Sequence, residues 1–161
     1  MIVEWIHDLA EKDPRTGLAL CPFAKPAYDA GRVKVVDVTG RDMLWPEVMS
    51  WVPAVGTDYE AVVVYDADYS FDYNRLEAAT DQLNDLMLSA GIDLWALSHL
   101  SDAAVIFLQK LTDLDNAAAK LEKLGYYATY TAKDYERLIA ERRKRRRSYE
   151  AQKENDARWR G

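Results

Sequence analysis

Apolar positions along the chain recur with two periods, and each period predicts an element. From Tyr73, the positions Leu76, Ala79, Leu83, Leu86 and Ala90 step by three and four residues, the period of one helix face. Ser70 is placed to cap this helix and Gly91 to end it. Ahead of it, Ala61, Val62, Val63, Val64 and Tyr65 form an unbroken run that predicts a strand buried on both faces, ended by Asp66-Ala67-Asp68. Residues 92–100 and the run Val105-Ile106-Phe107-Leu108 flank the turn Ser101-Asp102 and predict a hairpin. A second helix follows, capped by Thr112 or Asp113. It carries Leu114, Ala117, Ala118, Leu121 and Leu124 on one face and ends at Gly125. Residues 126–130 predict a short aromatic strand.

In order, residues 59–131 read β-α-β-β-α-β. Right-handed crossovers put both helices on one face, so the expected class is α+β, a ferredoxin-like sheet. Residues 33–38 add an edge strand, and residues 2–12 an N-terminal helix stopped by Asp13-Pro14. Pro22 and Pro26 mark residues 17–31 as a loop, and residues 41–58 hold one short helix with Pro46 near its first turn. Thr131 and Asp134 form a capping-box-like pair before a last helix, whose apolar face holds Tyr135, Leu138 and Ile139. Almost nothing apolar follows until Trp159, so this helix is expected to leave the core near residue 140. The division is a single domain over 1–140 and a basic helical tail over 141–161.

Composition supports one globular domain: 161 residues, 49% hydrophobic and 30% charged. No apolar run reaches the ~18 residues of a membrane span. Glu4, His7 and Asp8 interrupt any signal-peptide core. The single cysteine excludes an internal disulfide, and the expected location is a cytoplasm, the host's if the chain is phage-encoded. Charge changes the picture more. The net −6 divides into −10 over residues 1–133 and +4 over residues 134–161. The positive end is concentrated in an unbroken run: Arg142, Arg143, Lys144, Arg145, Arg146 and Arg147.

Two chemistries compete. Cys21, in Cys21-Pro22-Phe23, resembles the nucleophile position of glutaredoxin-like proteins. It could anchor an enzyme or redox site, with Lys25 lowering the thiol pKa and Asp66 or His99 assisting. Against this, Ala24 stands where a resolving cysteine would, and a lone cysteine among Leu20, Pro22 and Phe23 reads equally as a small buried residue. Asp66, Asp68 and Asp72 follow a buried strand, where acids hold Mg²⁺ or simply end the strand and favour the next helix. No ligand spacing or glycine-rich phosphate loop accompanies them, so no metal and no cofactor is expected.

The arginine-rich run is the second chemistry. It can neutralise phosphates, with Tyr149 and Trp159 stacking on bases. Equally, it can pair with Glu136, Glu141, Glu150 and Glu154 along its own helix, or dock on the acidic body of this chain or of a neighbouring subunit. The strand at 105–108 lacks the RNA-binding aromatic pattern of RRM domains.

The run Gly17-Leu18-Ala19-Leu20-Cys21-Pro22-Phe23-Ala24-Lys25-Pro26, preceded by a helix containing Trp5, resembles a group of uncharacterised bacterial and phage proteins. That group includes the domain of unknown function numbered 1415. Val63-Val64-Tyr65, Phe71-Asp72-Tyr73, residues 108–127 and Asp134-Tyr135 are similar to its small phage relatives. The resemblance implies no established activity, but it gives weight to Cys21, Pro22, Phe23 and Lys25 as one loop. The expected function is a small, phage-related accessory protein that binds an acidic protein or nucleic acid through Arg142 to Arg147, with homo-oligomers and no membrane among its partners. The alternative is the Cys21-centred enzyme.

Overall fold

The computed structural model describes residues 2–9, 11, 23–70, 72–100 and 102–161. It is a mixed α+β structure built on a four-stranded sheet with a long C-terminal helix. The strands are β1 (Val33–Asp37), β2 (Ala61–Asp66), β3 (Leu94–Leu100) and β4 (Ala104–Lys110). Their order is β1-β2-β4-β3. β1 runs parallel to β2, while β4 is antiparallel to both β2 and β3. The helices are α1 (Ile2–Asp8), α2 (Ala24–Asp29), α3 (Leu44–Trp51), α4 (Tyr73–Ser89), α5 (Leu111–Lys123), α6 (Ala132–Tyr135) and α7 (Glu141–Arg160). A π turn, Glu136–Ala140, joins α6 to α7.

Alternation along the strands separates two apolar layers. Val62, Val64, Ala96, Ala104, Ile106 and Leu108 meet Leu76, Leu83 and Met87 of α4 and Leu44 and Val48 of α3 in the larger core. Val63 and Val105 meet Ile6 of α1 in a smaller one, where Trp5, Tyr28 and Phe107 are partly buried. Edge strand β3 leaves the N–H and C=O of Ala96 without strand partners. Asn84 of α4, itself 1% exposed, satisfies both: its Oδ1 accepts from Ala96 N at 2.7 Å and its Nδ2 donates to Ala96 O at 2.9 Å.

The ferredoxin-like βαββαβ arrangement is not reproduced in full. Its first three strands are β2, β3 and β4 in the expected relative order, but residues 126–129, read as the fourth strand, form a 3₁₀ helix. β1 takes that edge instead, in parallel with β2. The aromatic content of 126–130 serves a cluster: Tyr127 packs edge-on against Tyr126, Tyr130 and Tyr135 with ring centroids 5.0–6.2 Å apart.

Smaller differences have local causes. Residues 24–29, read as loop, are helical because Pro26 falls in the first turn of α2, where an N–H has no helical partner to lose. Asp72, not Ser70, caps α4 by accepting from Arg75 N at 2.9 Å. α5 begins at Leu111, one residue ahead of the expected cap, because Asp93 caps it from outside by accepting from Thr112 N at 3.1 Å. The Thr131–Asp134 pair forms as expected, with Asp134 N donating to Thr131 Oγ1 at 3.1 Å.

Candidate interaction surface

Of the cysteine-site residues, Cys21 lies outside the described residues, as does Pro22. Lys25, on exposed α2, pairs with Asp29 at 2.6 Å, and His7 Nε2 of α1 approaches the same carboxylate at 3.3 Å. The hydrogen bond from Lys25 holds the Asp29 carboxyl below its ordinary range. Asp66 ends β2 and is buried, and its Oδ1 accepts from Asp68 N at 2.9 Å. His99 is exposed on β3 and stacks on Trp5 with centroids 5.3 Å apart.

Asp66 and His99 are not brought together. Asp66 aligns across the sheet with Ala104 and Leu100, so His99, one residue earlier, faces the opposite side. Asp66 belongs to the α4 side, whereas His99 faces α1. Among the described residues no group of three or more His, Cys, Asp and Glu could hold a metal ion. Asp37, which sequence reasoning passed over, braces the carboxy-terminal ends of the parallel strands. Its Oδ1 accepts from Thr39 N at 2.8 Å, and Thr39 Oγ1 accepts from Ala67 N at 3.0 Å. Hydrogen bonding from Thr39 holds the Asp37 carboxyl low, while burial and the neighbouring Asp37 push the Tyr65 hydroxyl up.

The basic run is divided by its own helix. Arg142, Arg145, Arg146 and Tyr149 recur at three- and four-residue steps and face the body. Arg142 is 3% exposed; its Nε donates to Asp115 Oδ1 at 2.8 Å and its Nη1 to Leu138 O at 2.9 Å. Arg146 takes the other oxygen of Asp115 at 2.7 Å and also reaches Glu150 at 3.1 Å. Arg145 bonds Asp81 and Asp85 at 3.1 and 2.5 Å and lies 5.0 Å over the ring of Trp95. Burial opposes the Arg145 charge, but Asp85 and Asp81 outweigh it and hold the guanidinium more firmly protonated. Arg143 pairs with Glu122 at 3.0 Å.

These contacts correct the expectation that the helix departs near residue 140: it stays against the body for two more turns. Docking on this chain's own acids, one of the alternatives read from the sequence, accounts for Arg142, Arg143, Arg145 and Arg146. Lys144 and Arg147 lie on the outer face and are exposed.

Beyond Glu150 the helix changes character. Every residue from 151 to 160 is exposed, and Trp159 is 90% exposed between Arg158 and Arg160. α7 runs alongside α4 in the same direction. Arg137, in the π turn just before it, meets Tyr73, Arg145 meets Asp81 and Asp85, and residues 149–156 border residues 88–93. On the far side of α4, an open groove of about 400 Å³ is lined by Trp45, Tyr69, Arg75, Ala78, Ala79 and Gln82.

No helix among the described residues is long and apolar enough to cross a membrane. No family model matches this chain, and neither a curated protein nor a solved structure matches it.

Proposed function

We propose that this chain is a small phage-related accessory protein that engages a protein partner through the outer half of α7. The observation that carries the reading is the split of the arginine-rich helix. Its first two turns are held by Asp81, Asp85, Asp115 and Glu122, and each of its last ten residues is exposed. A helix end that is mostly polar and exposed along its whole length gains little stability from burial, so it is best explained as a surface awaiting a partner. Trp159, flanked by Arg158 and Arg160, is the type of aromatic-plus-arginine anchor that concentrates binding energy.

An acidic protein face suits this surface better than nucleic acid. Four of the six consecutive bases are already paired with body carboxylates. The charges that remain on the outer half alternate with Glu150, Glu154 and Asp156, which weakens phosphate neutralisation. The reading assigns no reaction to Cys21, Lys25, Asp66 or His99. Affinity capture from nuclease-treated source extract tests it, comparing the full chain with one ending at residue 150. The expected result is loss of partners with the truncated chain. If the truncated chain keeps every partner, the reading is wrong, and if nuclease alone removes them, the partner is nucleic acid.

A further inference from the structure

We infer that two copies of this chain join along the open edge of β1. They form an antiparallel β1–β1 pair about a two-fold axis and make the two four-stranded sheets continuous. This surface is separate from the outer half of α7 and does not rest on the reading of that helix.

The two edges of the sheet are finished differently. At the β3 edge, Ala96 turns its N–H and C=O outward, and Asn84 takes both. The β1 edge has no such plug among the described residues. Val38 N donates to Tyr65 O at 2.9 Å and Arg32 O accepts from Ala61 N at 3.4 Å, so residues 34 and 36 face β2 with their backbone groups. By alternation, Val33, Val35 and Asp37 turn theirs outward. No described group bonds the N–H or C=O of Val33 or Val35, while Asp37 O accepts from Arg41 Nη2 at 2.5 Å. The side chains are open as well. Val33, Val35 and Val36 are half-buried, whereas Val62, Val63 and Val64 of the neighbouring strand are at most 1% exposed.

Charged side chains usually guard such an edge. Here both charges of the strand are turned back onto their own chain. Lys34 Nζ lies 5.4 Å over the ring of Trp51, and Asp37 Oδ1 accepts from Thr39 N. An unguarded, valine-rich edge is a template for another strand.

β1 of a second copy fits this template. With the two-fold axis at Val35, that residue faces the partner's Val35, and Val33 faces the partner's Asp37. Outward residues thus meet outward residues, and each facing pair exchanges two N–H···O=C bonds. Asp37 O keeps Arg41 on its second lone pair. Charge favours the antiparallel direction. The half of the strand that carries Lys34 meets the half that ends in the partner's Asp37, whereas a parallel pair would set like charges side by side. Arg32 is already paired with Glu60, and the two Lys34 ammonium groups, diagonal neighbours in the pair, are each drawn off over their own Trp51. A two-fold axis normal to the sheet keeps α1 of both copies on one face and α3 and α4 of both on the other. The smaller core then continues through the paired Val35 side chains.

Sedimentation equilibrium of the full chain tests this. The expected result is a dimer and nothing larger, because a self-complementary contact closes on itself. The dimer is expected to persist in a chain ending at residue 150, which separates it from any contact made by the outer half of α7. Val35→Pro removes an outward donor and no bond to β2, so the fold is retained, which far-UV circular dichroism checks. Two lost bonds and two intruding rings are expected to weaken the dimer at least about 30-fold. Val35→Cys in a Cys21→Ser background is expected to form a disulfide-linked dimer on mild oxidation. Its two Cα atoms would lie about 5.5 Å apart, within disulfide reach. Lys144→Cys in the same background, on the outer face of α7, is expected to cross-link far more slowly.

A parent chain that stays monomeric, a folded Val35→Pro chain that dimerises like the parent, or a Val35→Cys chain that cross-links no faster than Lys144→Cys would each overturn the inference. A dimer lost on ending the chain at residue 150 would overturn it as well, by placing the contact on α7. Should Val35→Pro lose its fold, the cross-linking comparison decides.

Discussion

Asp115 is the residue on which the docking of α7 most depends. Its two oxygens hold Arg142 and Arg146, at 2.8 and 2.7 Å. Arg142 is 3% exposed, and its only ion pair among the described residues is with Asp115. Replacing Asp115 with Ala would leave a buried guanidinium without a countercharge. Breaking a fully buried pair costs about 3–5 kcal/mol, and because Asp115 is itself 16% exposed, about 2–4 kcal/mol is the appropriate range. That is a large part of the ~5–15 kcal/mol that holds a domain folded. For a chain of this size it lowers Tm by about 5–15 °C.

Urea unfolding followed by tryptophan fluorescence measures the loss. Lys144→Ala and Arg147→Ala, on the exposed face of the same helix, are expected to change stability by no more than about 0.5 kcal/mol. The double variant Asp115→Ala with Arg142→Met removes the buried charge along with its partner and is expected to recover most of the loss. A cost below about 1 kcal/mol for Asp115→Ala would refute the reasoning. So would a double variant no more stable than the single one.

Two further outcomes follow from contacts elsewhere. Asn84→Ala leaves the N–H and C=O of Ala96 unsatisfied at the sheet edge, at about 1–2 kcal/mol each, and thermal unfolding is expected about 5–15 °C lower; a change under about 2 °C would contradict this. Asp37 titrates below its ordinary value of 3.8 in the folded chain, so its contribution to stability is present above that value and lost as pH falls through the lower folded one. The difference in urea midpoint between the parent chain and Asp37→Asn is therefore expected to hold steady above about pH 5 and to close on acidification below about pH 4; a gap independent of pH would contradict it.

Much of the fold was legible because period and burial coincide. The 61–65 run is a strand buried on both faces, and the three- and four-residue steps from Tyr73 are α4. The aromatic strand was misread because Tyr126, Tyr127 and Tyr130 have strand propensity, yet they pack on one another and on Tyr135. Pairing direction was equally hidden: nothing local in Val33–Asp37 says that this strand takes the edge beside β2 in parallel. The basic run was visible as charge, but its division was not. Asp81, Asp85 and Asp115 are 27 to 64 residues away from the arginines that they hold, so only tertiary structure shows which bases are committed. Asp66 and His99 were each legible as candidates. Their placement on opposite faces depended on a sheet register that the sequence does not contain.

Amide hydrogen exchange along α7 tests the central division most directly. Amides of residues 142–149 are expected to exchange as slowly as those of α4, because both share the Arg145–Asp81–Asp85 contacts. Amides of residues 152–160 are expected to exchange close to the rate of an unstructured peptide. Uniform protection along the whole helix, or fast exchange in both halves, would contradict the account.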